Sequence, residues 1–169
     1  VLVSNEVMRP RAQVLTENII KWGHPRSIVT SNYPADFTPL GPLFDLILVD
    51  APCSGEGMFR KDEVAVSEWS PENVSICWQR QRDILTDIWP TLRPGGLLIY
   101  STCTFNEEEN EKNVEWIAES LGAEVLPIDH DPSWGITEGN AGYHFYPHKT
   151  KGEGFYICAL RKDDDEPLK

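Results

Sequence analysis

Cys53 and Cys103 each stand just past an apolar run. Cys53 lies in Leu46-Ile47-Leu48-Val49-Asp50-Ala51-Pro52-Cys53-Ser54-Gly55-Glu56-Gly57, and Cys103 in Gly96-Leu97-Leu98-Ile99-Tyr100-Ser101-Thr102-Cys103-Thr104-Phe105. Such runs read as buried strands, and open α/β sheets gather their chemistry outside the carboxyl ends of strands. The pattern therefore aims two thiols at one crevice, with the Asp50 carboxyl beside one of them. A thiolate is a strong nucleophile, and a neighbouring acid polarises what it attacks. The bland reading of each thiol is a small buried hydrophobe. Two of them at strand ends, beside Pro52 and Thr102, favour the chemical reading. Cys77, on a helical stripe, and Cys158, in the last apolar run, are expected in the core. No cysteine pair has C-x-x-C spacing, so no metal site is expected. Four cysteines and no opening secretory signal predict free thiols in a reducing, cytoplasmic setting.

The elements that must position these thiols follow from periodicity and caps. Val1 to Val3 reads as a strand, and Pro10 suits the first turn of a helix carrying Ala12, Leu15, Ile19 and Trp22 inward to a stop at Gly23. Ser27 to Thr30 is a short strand. Asp45 to Val49 is a nearly continuous apolar run, as in a strand covered on both faces. Asp50 to Ser67 reads as a long functional loop. Ser70-Pro71 starts a helix whose inner stripe is Val74, Cys77, Trp78, Ile84, Leu85, Ile88 and Leu92, with a kink expected at Pro90. Gly96 to Thr102 is the next strand. Asn106 and Glu109 form a capping-box variant for a helix ending at Gly122. Strands follow at Ala123 to Ile128, Tyr143 to Tyr146 and Gly154 to Leu160. Strands alternating with helices make an α/β domain, and a closing strand without a crossover helix predicts one antiparallel strand in a mostly parallel sheet.

The 169 residues fit one domain, with 40% hydrophobic content and no apolar run long enough to span a membrane. The 15 basic and 27 acidic residues give a net charge of −12, which alone argues against a nucleic-acid partner. The acid is concentrated, however, in Glu107 to Glu111, where a helix start accommodates it, and in a tail from Asp163. Basic residues remain at Arg60, Lys61, Lys149 and Lys151. Residues 1–162 are expected to form the core and 163–169 a disordered acidic tail. Without an opening Met, the chain reads as a fragment truncated at its N-terminus. Position alone lets Glu6, just past the first strand, accept hydrogen bonds from ribose, and lets Asn32, just past the second, contact an adenine edge. A helix-entry Glu and a turn-forming Asn are the competing readings. Asp50, if buried, should be protonated or hydrogen-bonded.

The paired motifs resemble those of the Sun-type (NOL/NOP/Sun) RNA cytosine-5 methyltransferases. Leu2-Val3-Ser4-Asn5-Glu6, Trp69-Ser70-Pro71-Glu72-Asn73, Arg93-Pro94-Gly95-Gly96, Tyr146-Pro147-His148-Lys149 and Gly152-Glu153-Gly154-Phe155 extend the likeness over almost the whole chain. The resemblance implies a Rossmann-like S-adenosylmethionine-dependent methyltransferase core. It implies Cys103 as nucleophile at cytosine C6, Cys53 assisting product release and Asp50 contacting the ring, with Glu6, Asn32, Asp50 and Pro52 at the cofactor. The implied partner is RNA, with ribosomal RNA the expected kind. The family's first strand and glycine-rich loop lie outside this sequence. Their absence predicts an open strand edge filled by a second molecule or by a strand from elsewhere, or else a disordered start, with weak or no cofactor binding and no methyl transfer by this chain alone. Two rivals stand: a DNA cytosine-5 methyltransferase using Cys53, whose Pro-Cys motif fits it, and a catalytically silent RNA-binding or assembly module.

Overall fold

A computed structural model describes residues 1–164. The strands are β1 (Leu2–Asn5), β2 (Ser27–Thr30), β3 (Phe44–Asp50), β4 (Leu92–Thr102), β5 (Ala123–Leu126), β6 (Thr137–Glu138), β7 (Tyr143–Phe145) and β8 (Phe155–Lys162). The helices are α1 (Arg9–Trp22), α2 (Glu63–Glu68), α3 (Pro71–Ile88) and α4 (Glu111–Trp116), the last continuing as a wider turn over Ile117–Gly122. Gly23 ends α1 in the left-handed conformation, and the Ser70 hydroxyl caps α3 at the Asn73 amide. Pro90 bends no helix: α3 stops at Ile88, and Trp89–Thr91 forms a tight turn leading into β4. The loop after β3 contains α2, whose six residues are too short to show periodicity.

β3 and β4 pair in parallel, Asp50 lying opposite Ser101. β8 runs antiparallel between β4 and β5, its far edge shared by β5 at Ala159 to Lys162 and by β7 at Phe155 to Ile157. The expected antiparallel strand is present, and the β6–β7 hairpin adds a further strand, so the sheet is mixed. β1 and β2 pair in parallel as a separate two-stranded sheet. Among the described residues no ladder joins β1 to β3, and no strand from elsewhere in the chain fills that place. The β1–α1–β2 segment is formed. No described helix is long and apolar enough to cross a membrane.

The core lies where alternate residues of β4 (Leu98, Tyr100) and β8 (Tyr156, Cys158, Leu160) meet Leu85 of α3, Val114 of α4 and Ile117 in its continuation. β3 departs from the expectation of cover on both faces: Leu46 is 54% and Leu48 62% exposed, while Ile47 on the opposite face is buried. Its apolar run reflects a strand with one covered face among the described residues. Trp22, expected on the inner stripe of α1, is exposed as well. Of the predicted tail, Asp163 still donates its backbone N–H to the Gly122 carbonyl. Residues 165–169 lie outside the described residues.

Cys77 and Cys158 are core residues. Burial pushes the Cys158 thiol from 9.0 up to about 12. The folded state then holds this proton longer than the unfolded chain does. The stabilisation is complete below pH 9 and is lost as pH rises toward 12, at up to about 1.4 kcal/mol per pH unit. Cys158→Ala is therefore expected to flatten the fall in thermal stability between pH 9 and 10, measured by circular dichroism. Parallel wild-type and variant curves would show that the thiol does not contribute.

Candidate active site

The loop after β3 and the loop after β4 meet at the carboxyl edge of the parallel pair. Pro52 has no N–H to continue the ladder, and Gly55 turns the chain in the left-handed conformation. The sulfurs of Cys53 and Cys103 approach to 3.0 Å, and the Cys103 amide donates to Cys53 Sγ at 3.3 Å. Both residues are half-buried. Asp50 is exposed at the end of β3, and its Oδ1 accepts from Ser101 Oγ at 3.0 Å. It is hydrogen-bonded without being buried, because β3 ends at the open rim of the sheet.

The two thiols are held in unequal states. The hydrogen bond to Cys103, together with burial, pushes the Cys53 thiol far up. Hydrogen-bond donation from Cys53 pulls the Cys103 thiol below its usual range, against burial and the nearby Asp50 charge. The pair thus favours one arrangement: an S–H on Cys53 donating to a thiolate on Cys103.

Two carboxylates to which the sequence reading gives no part in the site bolt these loops together. Glu109 is fully buried and accepts hydrogen bonds from Ser54 N (2.9 Å), Ser54 Oγ, Gln81 Nε2 (2.8 Å) and Asn106 Nδ2 (2.6 Å). Gln81, inside α3, also donates to the Pro52 carbonyl at 3.0 Å. In the opposite sense, Glu56 Oε2 accepts from Thr104 Oγ1 (2.8 Å) and from the amides of Phe105 (2.7 Å) and Asn106 (2.9 Å). Each loop thereby supplies an acceptor for the other. The acidic run from Glu107 therefore does more than face a helix dipole. The expected capping box forms only in part and not at the helix start: the Glu109 amide donates to Asn106 Oδ1, but the Asn106 amide goes to Glu56, and α4 begins at Glu111 after Asn110. The available clue was Gln81, a polar residue on the apolar stripe of α3, between Cys77 and Leu85.

The closing segment completes the wall. Gly57 N donates to the Cys103 carbonyl at 2.9 Å, and Gly154 N donates to the Gly57 carbonyl at 3.3 Å. A Cβ on Gly57 would stand 2.6 Å from the Gly154 carbonyl oxygen and 2.7 Å from that of Cys103, so the approach requires glycine.

Glu6 and Asn32 lie past the carboxyl ends of β1 and β2. The Glu6 carboxylate accepts from the Met8 amide at 2.9 Å and pairs with Arg11 at 3.2 Å. Asn32 is tied to Asn5: its amide donates to Asn5 Oδ1, and its carbonyl accepts from Asn5 Nδ2, both at 3.0 Å. Asp36, which sequence reasoning passed over, accepts from the Tyr33 amide at 2.9 Å and reaches Asn32 Nδ2 at 3.4 Å. A tight turn from Pro34 thus returns a carboxylate to the end of β2. The structure brings Cys53, Cys103 and Asp50 together on the larger sheet, and places Glu6 and Asn32 on the smaller one.

The architecture is that of the Rossmann-like methyltransferases. NSun6 of Pyrococcus horikoshii, solved with SFG, is 29% identical with a TM-score of 0.83 over 96% of this chain and 41% of its own. A methyltransferase homolog protein of the same organism is 26% identical with a TM-score of 0.80, over 96% of this chain and 53% of its own. The chain belongs to the 16S rRNA methyltransferase RsmB/F family, whose sequence model matches residues 1–161. Ribosomal RNA small subunit methyltransferase F of Pectobacterium carotovorum is 36% identical over 98% of this chain and 35% of its own length. Its namesake from Escherichia coli is 39% identical over 98% of the chain and 36% of its own length. The chain thus spans about a third of the length of these relatives.

Proposed function

We propose that this chain is the catalytic part of an enzyme that methylates C5 of a cytosine in ribosomal RNA through a covalent adduct at Cys103. The observation that carries the reading is the 3.0 Å contact between Cys53 and Cys103, with Asp50 beside them. Cytosine C5 is a poor nucleophile. Addition of the Cys103 thiolate to C6 converts the ring to an enamine-like species whose C5 is reactive. Asp50, exposed at the rim, steadies the ring N3 and amino group as sulfur adds. When bound, S-adenosylmethionine would supply the methyl group for C5 and depart as S-adenosylhomocysteine. Acceptors past three strand ends, Glu6, Asp36 and Asp50, suit its ribose hydroxyls and adenine amine, and Asn32 and Pro52 line the same ends. SFG, held by the NSun6 relative, is an analogue of that cofactor.

The thiol pair also accounts for release. Once Cys103 is bonded to C6, it no longer accepts from Cys53 or repels its charge, the main influences besides burial that hold the Cys53 proton. Cys53 thereby becomes a stronger acid, gives its proton to solvent and, as thiolate, takes the C5 proton. With that proton on Cys53, the C6–S bond breaks, and the departing Cys103 thiolate meets the Cys53 S–H that stabilises it.

The test is mass spectrometry of the full-length enzyme after incubation with S-adenosylmethionine and RNA carrying 5-azacytidine. A covalent adduct is expected on the peptide containing Cys103. Cys53→Ala should accumulate that adduct even on unmodified RNA. An adduct on Cys53 would favour the DNA-type mechanism, and an adduct on neither cysteine would leave the silent binding module.

A further inference from the structure

We propose that the face around His148, Lys149 and Lys151 is a stacking platform for an unpaired RNA base flanking the target cytosine. The proposal deepens the methyl-transfer reading and rests on it. A column of rings runs outward from the core. Fully buried Tyr156 tilts against His144 at 4.9 Å. His144 stacks on Tyr146 at 5.0 Å with ring planes 3° apart, and Tyr146 stacks on the exposed His148 at 5.6 Å and 28°. The inner rings are locked, so the outermost presents a flat face in a fixed orientation.

The column adjoins the nucleophile loop. The Phe105 ring, two residues beyond Cys103, packs on Tyr146 at 5.6 Å. Phe105 also covers Gly154, which bonds to Gly57 and through it to the Cys103 carbonyl. A base on His148 would therefore be near, and not inside, the cysteine crevice.

Charge supports the choice of partner. In a chain with net charge −12, Lys149 lies over the Tyr146 ring at 6.0 Å, and Lys151 follows two residues later. Lys149 donates to Thr137 Oγ1. Neither lysine forms an ion pair among the described residues. Arg60 is anchored to the Gly152 carbonyl and close to Glu153, which joins the first cysteine loop to this segment. The cleft beside Tyr146 carries Glu107, Glu111, Glu115 and Glu138 with Lys112, and Lys149 reaches Thr137 at its wall. Lys149 and Lys151 are the cations beside the exposed His148 ring. Aromatic rings with adjoining cations are what single-stranded RNA uses, since every base has a stacking face and every linkage a phosphate.

The test is fluorescence anisotropy of the chain with a short labelled single-stranded RNA, between about 50 and 200 mM salt. His148→Ala should weaken binding about 5- to 150-fold while leaving the salt dependence unchanged. His148→Phe should retain affinity. Lys149→Ala/Lys151→Ala should lower the slope of log affinity against log salt by about 1.4. Lys21→Ala, on the exposed face of α1, should behave as wild type. No RNA binding by the wild type, or unchanged affinity and slope in both the His148→Ala and the double lysine variants, would overturn the platform. Adduct formation at Cys103 with unchanged binding in these variants would retain the chemistry and remove the platform. The expected loss on His148→Ala without any adduct at Cys103 would do the reverse.

Discussion

Glu109→Ala is expected to lower the melting temperature by about 10 °C, more than any exposed substitution in the chain. The carboxylate is 0% exposed and serves four donors from three segments: Ser54 twice, Gln81 and Asn106. Removing it leaves the buried Ser54 amide without a partner and takes one acceptor each from the Gln81 and Asn106 side-chain amides, which keep the Pro52 carbonyl and Thr104 Oγ1. Each buried donor without a partner costs about 1–3 kcal/mol. Partial relaxation and water entry keep the sum below three full penalties, at about 3–5 kcal/mol. For a domain of this size about 2–4 °C is lost per kcal/mol. Glu109→Gln should lose less, because its carbonyl still accepts, though its NH2 faces donors. Thermal unfolding followed by circular dichroism measures both. A loss of only a degree or two for Glu109→Ala would show that water satisfies the donors and that the clamp is weak.

Cys103 is expected to be alkylated by iodoacetamide at neutral pH faster than an ordinary thiol, with Cys53 the slower of the two. The thiolate is the reactive form, and donation from Cys53 favours it on Cys103. Two substitutions should move the Cys103 profile in opposite directions. Cys53→Ala removes the donor, so the midpoint rises and labelling at pH 7 slows severalfold. Asp50→Asn removes a negative charge that disfavours the thiolate, so the midpoint falls. Labelling rates across pH, read peptide by peptide by mass spectrometry, give both. A pair in which Cys53 labels first, or a Cys103 midpoint indifferent to both changes, would contradict the assignment of the shared proton. This measurement needs neither RNA nor cofactor, so it isolates the thiol pair from the rest of the mechanism.

Local patterns carried much of the fold. Ser70-Pro71 starts α3 and Gly23 ends α1 because caps and left-handed glycines act over one turn. The alternation of β4 and β8 marks a covered strand face, and the absence of a crossover helix before β8 indicates its antiparallel direction. Where periodicity was too short or polar residues broke it, the reading failed. Six residues of α2 carry no stripe. The exposed Leu46 and Leu48 are indistinguishable from buried leucines until the neighbours of β3 are known.

The candidate site divides the same way. The sequence by itself determined that two cysteines and an aspartate follow two strands, since composition and strand-length apolar runs are local properties. Only the tertiary structure decided that the sulfurs meet at 3.0 Å and that Cys53 donates while Cys103 is favoured as thiolate. It also decided that Glu109 leaves an acidic run to enter the interior, while its neighbours Glu107 and Glu108 stay exposed. These outcomes depend on parallel pairing of segments some fifty residues apart, Asp50 opposite Ser101. A carboxylate is buried only where enough donors converge, and those donors come from distant parts of the chain.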